Sequence, residues 1–107
     1  MAATLQHNIT TILTQNLLEA GDKVNDIKSI TLANVDSSND AEVDLFLNRG
    51  DDNFYILKNV LIPLGSTLVL GPEDNIGFNN STNGFSMRTQ IDDGSTTAVA
   101  VDIIIKT

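Results

Sequence analysis

Three observations predict an all-β, antiparallel fold for this chain. Apolar and polar residues alternate with a period of two in several stretches. Val43, Leu45 and Leu47 oppose Glu42, Asp44 and Asn48; Phe85, Met87, Thr89 and Ile91 oppose Ser86, Arg88 and Gln90; Val99, Val101, Ile103 and Ile105 oppose Ala98, Ala100, Asp102 and Ile104. Clusters of Gly, Pro, Asn, Asp and Ser cut the chain at short, regular intervals. No stretch sustains a helical stripe. Roughly eight short strands at this spacing make a sandwich or a small barrel, in one domain spanning residues 1–107.

The first segment, Met1–Leu18, satisfies two periods. Leu5, Ile9, Ile12 and Leu13 fit a helical stripe, whereas Ile9, Thr11, Leu13 and Leu17 fit strand alternation. Its Thr and Ile content lowers helix propensity and favours a strand. The segment is either the first strand of the domain or an arm for a neighbouring subunit. Leu5, Ile9, Leu13 and Leu17 are too apolar for a free tail, and a partner's open sheet edge can be completed by strand addition.

After a turn at Glu19–Asp22, Lys23–Val35 reads as a strand with Ile30 and Leu32 on one face and Ile27, Ala33 and Val35 on the other. Asp36–Asp40 is a turn of residues that bond their own backbone. Glu42–Leu70 then reads as a β-meander. A four-residue loop at Arg49–Asp52 and a return strand at Asn53–Lys58 come first. A type I turn at Ile62-Pro63-Leu64-Gly65 and a short strand at Thr67–Leu70 follow. Beyond a loop at Gly71–Asp74, a short strand is expected at Asn75–Phe78 and a polar loop at Asn79–Gly84. Asp92–Ser95 is expected to form the hairpin tip between Phe85–Ile91 and Thr96–Lys106.

The segments VDLFLN and FYILKNVLIPLGSTLVL, following IKSITLANVDSSNDA, resemble a family of small β-sandwich proteins of tailed-bacteriophage virions. The likeness covers Leu17–Leu70 and extends loosely over the last third. It implies a jelly-roll-like β-sandwich and a non-enzymatic structural role, foremost as a capsid decoration or cement subunit. The implied partners are the major capsid protein or other virion proteins and further copies of the chain, with a trimer favoured, assembled in the bacterial host cytoplasm. A neck, tail or fibre module is the alternative within the resemblance. A host-glycan-binding module is the alternative outside it, and it needs exposed aromatics, poorly supplied by no Trp and one Tyr. The resemblance brings no catalytic motif.

Composition bounds the rest. Six Lys and Arg against fourteen Asp and Glu give a net charge of −8, and the six cations are scattered, so nucleic acid is not an expected partner. The charge suits solubility at high local concentration. No Cys is present to form disulfides or thiolate metal sites. No apolar run reaches the roughly 20 residues of a membrane-spanning helix, and no secretory leader is expected. Folding removes roughly 10,900 Å² from water at this mass, enough for one modest core.

Candidate chemistry is sparse, and neither catalytic residues nor a cofactor is expected. The one imidazole, His7, lacks a nucleophile motif and reads as a surface residue. Asp51-Asp52 and Asp92-Asp93 sit at turns rather than facing each other across a cleft. Asp36, Ser38 and Asp40, with Asp74, Asp92 and Asp93, form the least weak cation candidate, yet the Gly and Glu of a calcium loop are missing, so no metal is expected. Arg49-Gly50-Asp51 is ordinary turn chemistry, and the sequons at Asn8 and Asn80 matter only in a glycosylating secretory route. The candidate interface residues are Leu5, Ile9 and Leu13 of the first segment, together with Phe46, Tyr55 and Ile104. The last three lie opposite the core alternation and are expected to share one patch.

Overall fold

Two four-stranded antiparallel sheets take up the alternating stretches. The computed structural model describes residues 4–21, 27–71, 73, 78 and 84–107. Its strands are β1 (Thr4–Ile9), β2 (Gln15–Leu18), β3 (Ser29–Asn34), β4 (Ala41–Arg49), β5 (Asp52–Ile62), β6 (Thr67–Leu70), β7 (Ser86–Asp92) and β8 (Val101–Lys106). The strand orders are β1-β8-β3-β6 in sheet A and β2-β7-β4-β5 in sheet B, the two interlocked Greek keys of a jelly roll. Every connection except β4–β5 crosses from one sheet to the other.

The core lies between the sheets, where the predicted alternation places it. Ile30 and Leu32 of β3, Val43 and Leu45 of β4, Met87 and Ile91 of β7, and Val101, Ile103 and Ile105 of β8 are all fully buried. Thr89 is buried among them because its hydroxyl donates to the Asp44 carbonyl at 2.8 Å, leaving that polar group paired inside the core.

Several expectations are corrected. The meander ends at β5: β6 pairs with β3, not β5, because the Pro63–Ser66 turn carries the chain to the other sheet. That turn begins one residue later than expected. The Ser66 N–H donates to the Pro63 carbonyl at 2.9 Å, and Gly65 at φ 77° holds the third position, as a type II turn requires. Arg49 pairs with Asp52, so the β4–β5 loop has two residues rather than four, with Gly50 at φ 63° in the first place of a type II′ turn. β7 and β8 do not form a hairpin, since they belong to opposite sheets. The last strand starts at Val101 rather than Thr96, because Asp93 draws residues 95–97 into its own turn. The strand expected at Asn75–Phe78 and the loop at Asn79–Gly84 lie mostly outside the described residues.

Of the two roles open to Met1–Leu18, arm or first strand, the structure shows strands within the chain's own sandwich. β1 pairs with β8 along Thr4–Ile9, and β2 pairs with β7. The loop at 10–14 splits what alternation alone reads as one strand and sends β2 into the opposite sheet.

Candidate functional site

Residues that could meet a partner lie on the outer faces of the two sheets and on the loops at the two ends. On sheet B, register places Asn16, Arg88, Phe46 and Tyr55 in one outward row across β2, β7, β4 and β5. Phe46 is nevertheless only 5% exposed. The Tyr55 ring covers it at 5.1 Å, and the Lys58 ammonium lies 4.5 Å over the Tyr55 ring in turn. Lys58 is held there by Asp44 at 3.4 Å. Partial desolvation pulls the Lys58 pKa down, but the Asp44 charge and hydrogen bond, with Tyr55, outweigh it and leave the ammonium above its ordinary value. Asp44 also accepts the Asn59 N–H at 2.7 Å, fixing Asn59 at φ 52° in one of two bulges that interrupt β5. Tyr55 thus contacts both Phe46 and Lys58 of its own chain while remaining 46% exposed.

Ile104 does not join this pair. It lies on β8 in sheet A, on the far side of the sandwich, so the three residues expected to form one patch are divided between two faces. Of the first-segment candidates, Ile9 is a core residue and Leu5 packs against the core. Leu13 is 67% exposed in the β1–β2 loop. His7 is half-buried on β1 opposite Ile103.

At the end of the sandwich where the β1–β2, β3–β4, β5–β6 and β7–β8 connections gather, polar groups bind the loops together. Buried Asn34 donates to the carbonyls of Asn39 at 3.0 Å and Ile62 at 3.1 Å and accepts the Asp36 N–H at 3.0 Å. Asp36 accepts the N–H groups of Ala100, Ser38 and Asn39 at 3.1, 3.1 and 2.9 Å. Leu64 donates its N–H to Asp40 at 2.8 Å, and Gly94 and Ser95 donate theirs to Asp92 and Asp93. Of the carboxylates weighed as cation ligands, Asp36, Asp40, Asp92 and Asp93 are therefore loop fasteners, and Asp74 lies outside the described residues. Among the described residues no three His, Cys, Asp or Glu side chains gather to hold a metal ion. Asn34 is absent from the residues singled out in the sequence, although an Asn ending an apolar strand before Asp-Ser-Ser is the available signal.

The donors around Asp36, Ala100 foremost and then Ser38 and Asn39, hold its carboxyl below the ordinary 3.8. The folded chain therefore resists protonation there more than the unfolded chain does. The stabilisation is complete above the unfolded value and is lost as pH falls through the lowered folded one. Asp36→Asn is expected to lower the thermal midpoint at neutral pH and to flatten its decline between about pH 5 and pH 2 relative to wild type. Parallel declines in thermal melts of the two proteins would remove Asp36 from the acid response.

At the opposite end, Arg49 and Arg88 line a shallow depression of about 450 Å³ together with Asn16, Glu19, Asn48 and Ser86. Arg49 sits 5.8 Å over the Phe85 ring, which meets Phe54 edge-on.

The outer face of sheet A has a different character. Its central row is Gln6, Ile104, Thr31 and Val69, and the row beside it is Asn8, Asp102, Ala33 and Thr67. Val69 is 59% exposed. Asp102 and Lys106 are the two charged residues on the outer face of β8, and Asp102 accepts a hydrogen bond from Asn8 at 2.6 Å. Sheet B by contrast turns Glu42, Asp44, Asp92, Lys58 and Arg88 outward.

No family model and no curated protein matches the chain. Among solved structures it is similar to a subunit of the Bacillus endospore appendages, described as disulfide-linked pili, at 11% identity and a TM-score of 0.52, covering 99% of this chain and 85% of that one. It is also similar to the Yersinia pseudotuberculosis-derived mitogen at 13% identity and a TM-score of 0.49, covering 98% of this chain and 84% of that one. At these identities the likeness concerns architecture, and the pilus subunit supports the two-sheet fold over nearly the whole length of this chain.

Proposed function

We propose that the chain is a non-enzymatic structural subunit that works by burying surface against other proteins, and that its place is the tailed-phage virion, as a decoration or cement protein of the capsid. One observation carries the assembly role: an acidic chain of net charge −8 places one acid and one base, Asp102 and Lys106, on the outer face of sheet A, where the other outward residues are uncharged, among them Ile104, Thr31, Val69 and Ala33. A charge-depleted face on a charged surface is the composition of a protein contact. The use of the loop carboxylates as fasteners supports a scaffold over a catalyst. The likeness of Leu17–Leu70 to phage virion proteins supports the finer placement. The disulfide linkage of the Bacillus pilus has no counterpart here, because this chain has no Cys, so assembly rests on noncovalent contacts, with the major capsid protein and with further copies of the chain.

Purified particles of the phage that encodes the chain test the placement by copy number. Hundreds of copies per particle are expected for a shell subunit. Roughly a dozen would move it to the neck or tail, where rings of low symmetry set the count. Its absence from washed particles would overturn the virion reading.

A further inference from the structure

We infer that the outer face of sheet A is a self-complementary contact between two copies of the chain, related by a two-fold axis that runs across the strands through Ile104. This deepens the reading of the chain as an assembly subunit by naming one partner and its geometry.

Charge selects the occupant. Two copies each carrying −8 repel when most of their surfaces meet. On sheet A the outward charges of β8 are one acid and one base, Asp102 and Lys106, placed two residues to either side of Ile104. They lie about 13 Å apart along the strand. An isologous contact brings each patch against itself. With the axis along the row of Ile104, Thr31 and Val69, the operation reverses the strands and lays Ile104 on Ile104, Thr31 on Thr31 and Val69 on Val69. The same operation lays Asp102 of one copy over Lys106 of the second, and Lys106 over Asp102. Small residues match beyond the charges, since Ala33 pairs in register with Asp102 and Ser29 with Lys106, so Ala33 falls over Ser29. The twist of aligned sheets, about 30°, displaces the strand ends by only about 3 Å, within the reach of a lysine. An axis running along β8 instead would set Asp102 on Asp102, which is unfavourable.

Size sets the strength. Four strands about 4.8 Å apart, each presenting about five residues, give a face of roughly 300 Å² per copy. That is well below the roughly 800 Å² per partner of a standard stable complex. The pairing is therefore weak in dilute solution and becomes occupied where copies are held at high local concentration, as neighbours on one particle are.

The test is charge reversal followed by mixing, read by sedimentation velocity on the full-length chain from about 10 μM to about 1 mM. Wild type is expected to show a concentration-dependent dimer. Asp102→Lys and Lys106→Asp should each weaken self-pairing at least about tenfold, because each sets like charges opposite one another twice across the axis. An equimolar mixture of the two variants should recover a dimer. One variant then carries a lysine at both positions and the other an aspartate at both, so opposite charges meet twice across the axis. Thermal melts verify that each variant is folded, and Val69→Glu provides a second disruption that leaves the Asn8–Asp102 hydrogen bond intact. A wild-type monomer throughout the range, or a trimer or dimer indifferent to both reversals, would overturn the pairing. So would failure of the mixture to recover it. A charge-sensitive dimer of a chain absent from particles would leave the pairing standing and remove only the virion reading.

Discussion

Replacing Ile103 with alanine is expected to cost about 2–5 kcal/mol of folding stability. Ile103 is fully buried on β8, with Leu32 of β3 on one side and His7 of β1 on the other. It projects into the space between the sheets, where close packing prevents the neighbours from filling the volume of three lost carbons. A domain of this size has roughly 5–15 kcal/mol in total, so the loss is a large share of it. Ile104→Ala is the matched control. One residue along the same strand it points outward and is half-buried, and its loss should stay below about 1 kcal/mol. Urea unfolding of both variants measures the difference as a shift in midpoint at constant slope. A cost below about 0.5 kcal/mol at Ile103, or equal costs at the two positions, would mean that the register of β8 is off by one residue.

That contrast rests on what a sequence carries best. The side-chain period of a strand is two, so a correctly phased run fixes every face in it at once. Val101, Ile103 and Ile105 are buried as alternation requires, and Met87, Thr89 and Ile91 likewise. Val99 is buried as expected even though the strand begins two residues after it, because burial follows hydrophobicity while strand boundaries follow hydrogen bonds. Pairing is not local in this sense. Alternation says that Phe46, Tyr55 and Ile104 face away from a core, but which sheet holds each is decided by partners dozens of residues away. Phe46 and Tyr55 meet across β4 and β5, whereas Ile104 faces Gln6 and Thr31 on the opposite side. The expected meander breaks at β6 for the same reason.

Local exceptions are hidden by chemistry that resembles the rule. The return strand read at Asn53–Lys58 in fact runs on to Ile62, through a bulge at Lys58 and Asn59 fastened by the Asp44 carboxylate of β4. The bulge serves an edge: β5 is the longest strand and borders sheet B, and a twisted, bulged edge resists pairing with another chain. Sheet A's outer face becomes legible only once the strand order is known. Gln6, Thr31, Val69 and Ile104 come from four separated parts of the chain, and none of those segments alone announces a face with so little charge.

Deleting residues 2–15 is expected to abolish the folded state. The deletion removes β1 entirely and the first residue of β2. β8 would lose its partner from Thr4 to Ile9 and become the border of sheet A, with its fully buried Val101, Ile103 and Ile105 now beside open water. Ile9 would be lost from the core and Leu5 from its margin, each contributing about 1.5–3 kcal/mol when fully buried. The ladder along β1 adds roughly 0.5–1.5 kcal/mol for each hydrogen bond broken. Together these losses approach or exceed the whole stability of a small domain. The truncated chain should therefore show no cooperative thermal transition and should lose the near-ultraviolet circular dichroism of a packed core. It should also bind a hydrophobic dye, as chains with exposed apolar surface do. An arm reserved for a neighbouring subunit behaves otherwise: its removal leaves the thermal midpoint within a few degrees and abolishes only assembly. A truncated protein that melts cooperatively near the wild-type midpoint would show that β1 contributes little to its own sandwich and would return the segment to the role of an arm.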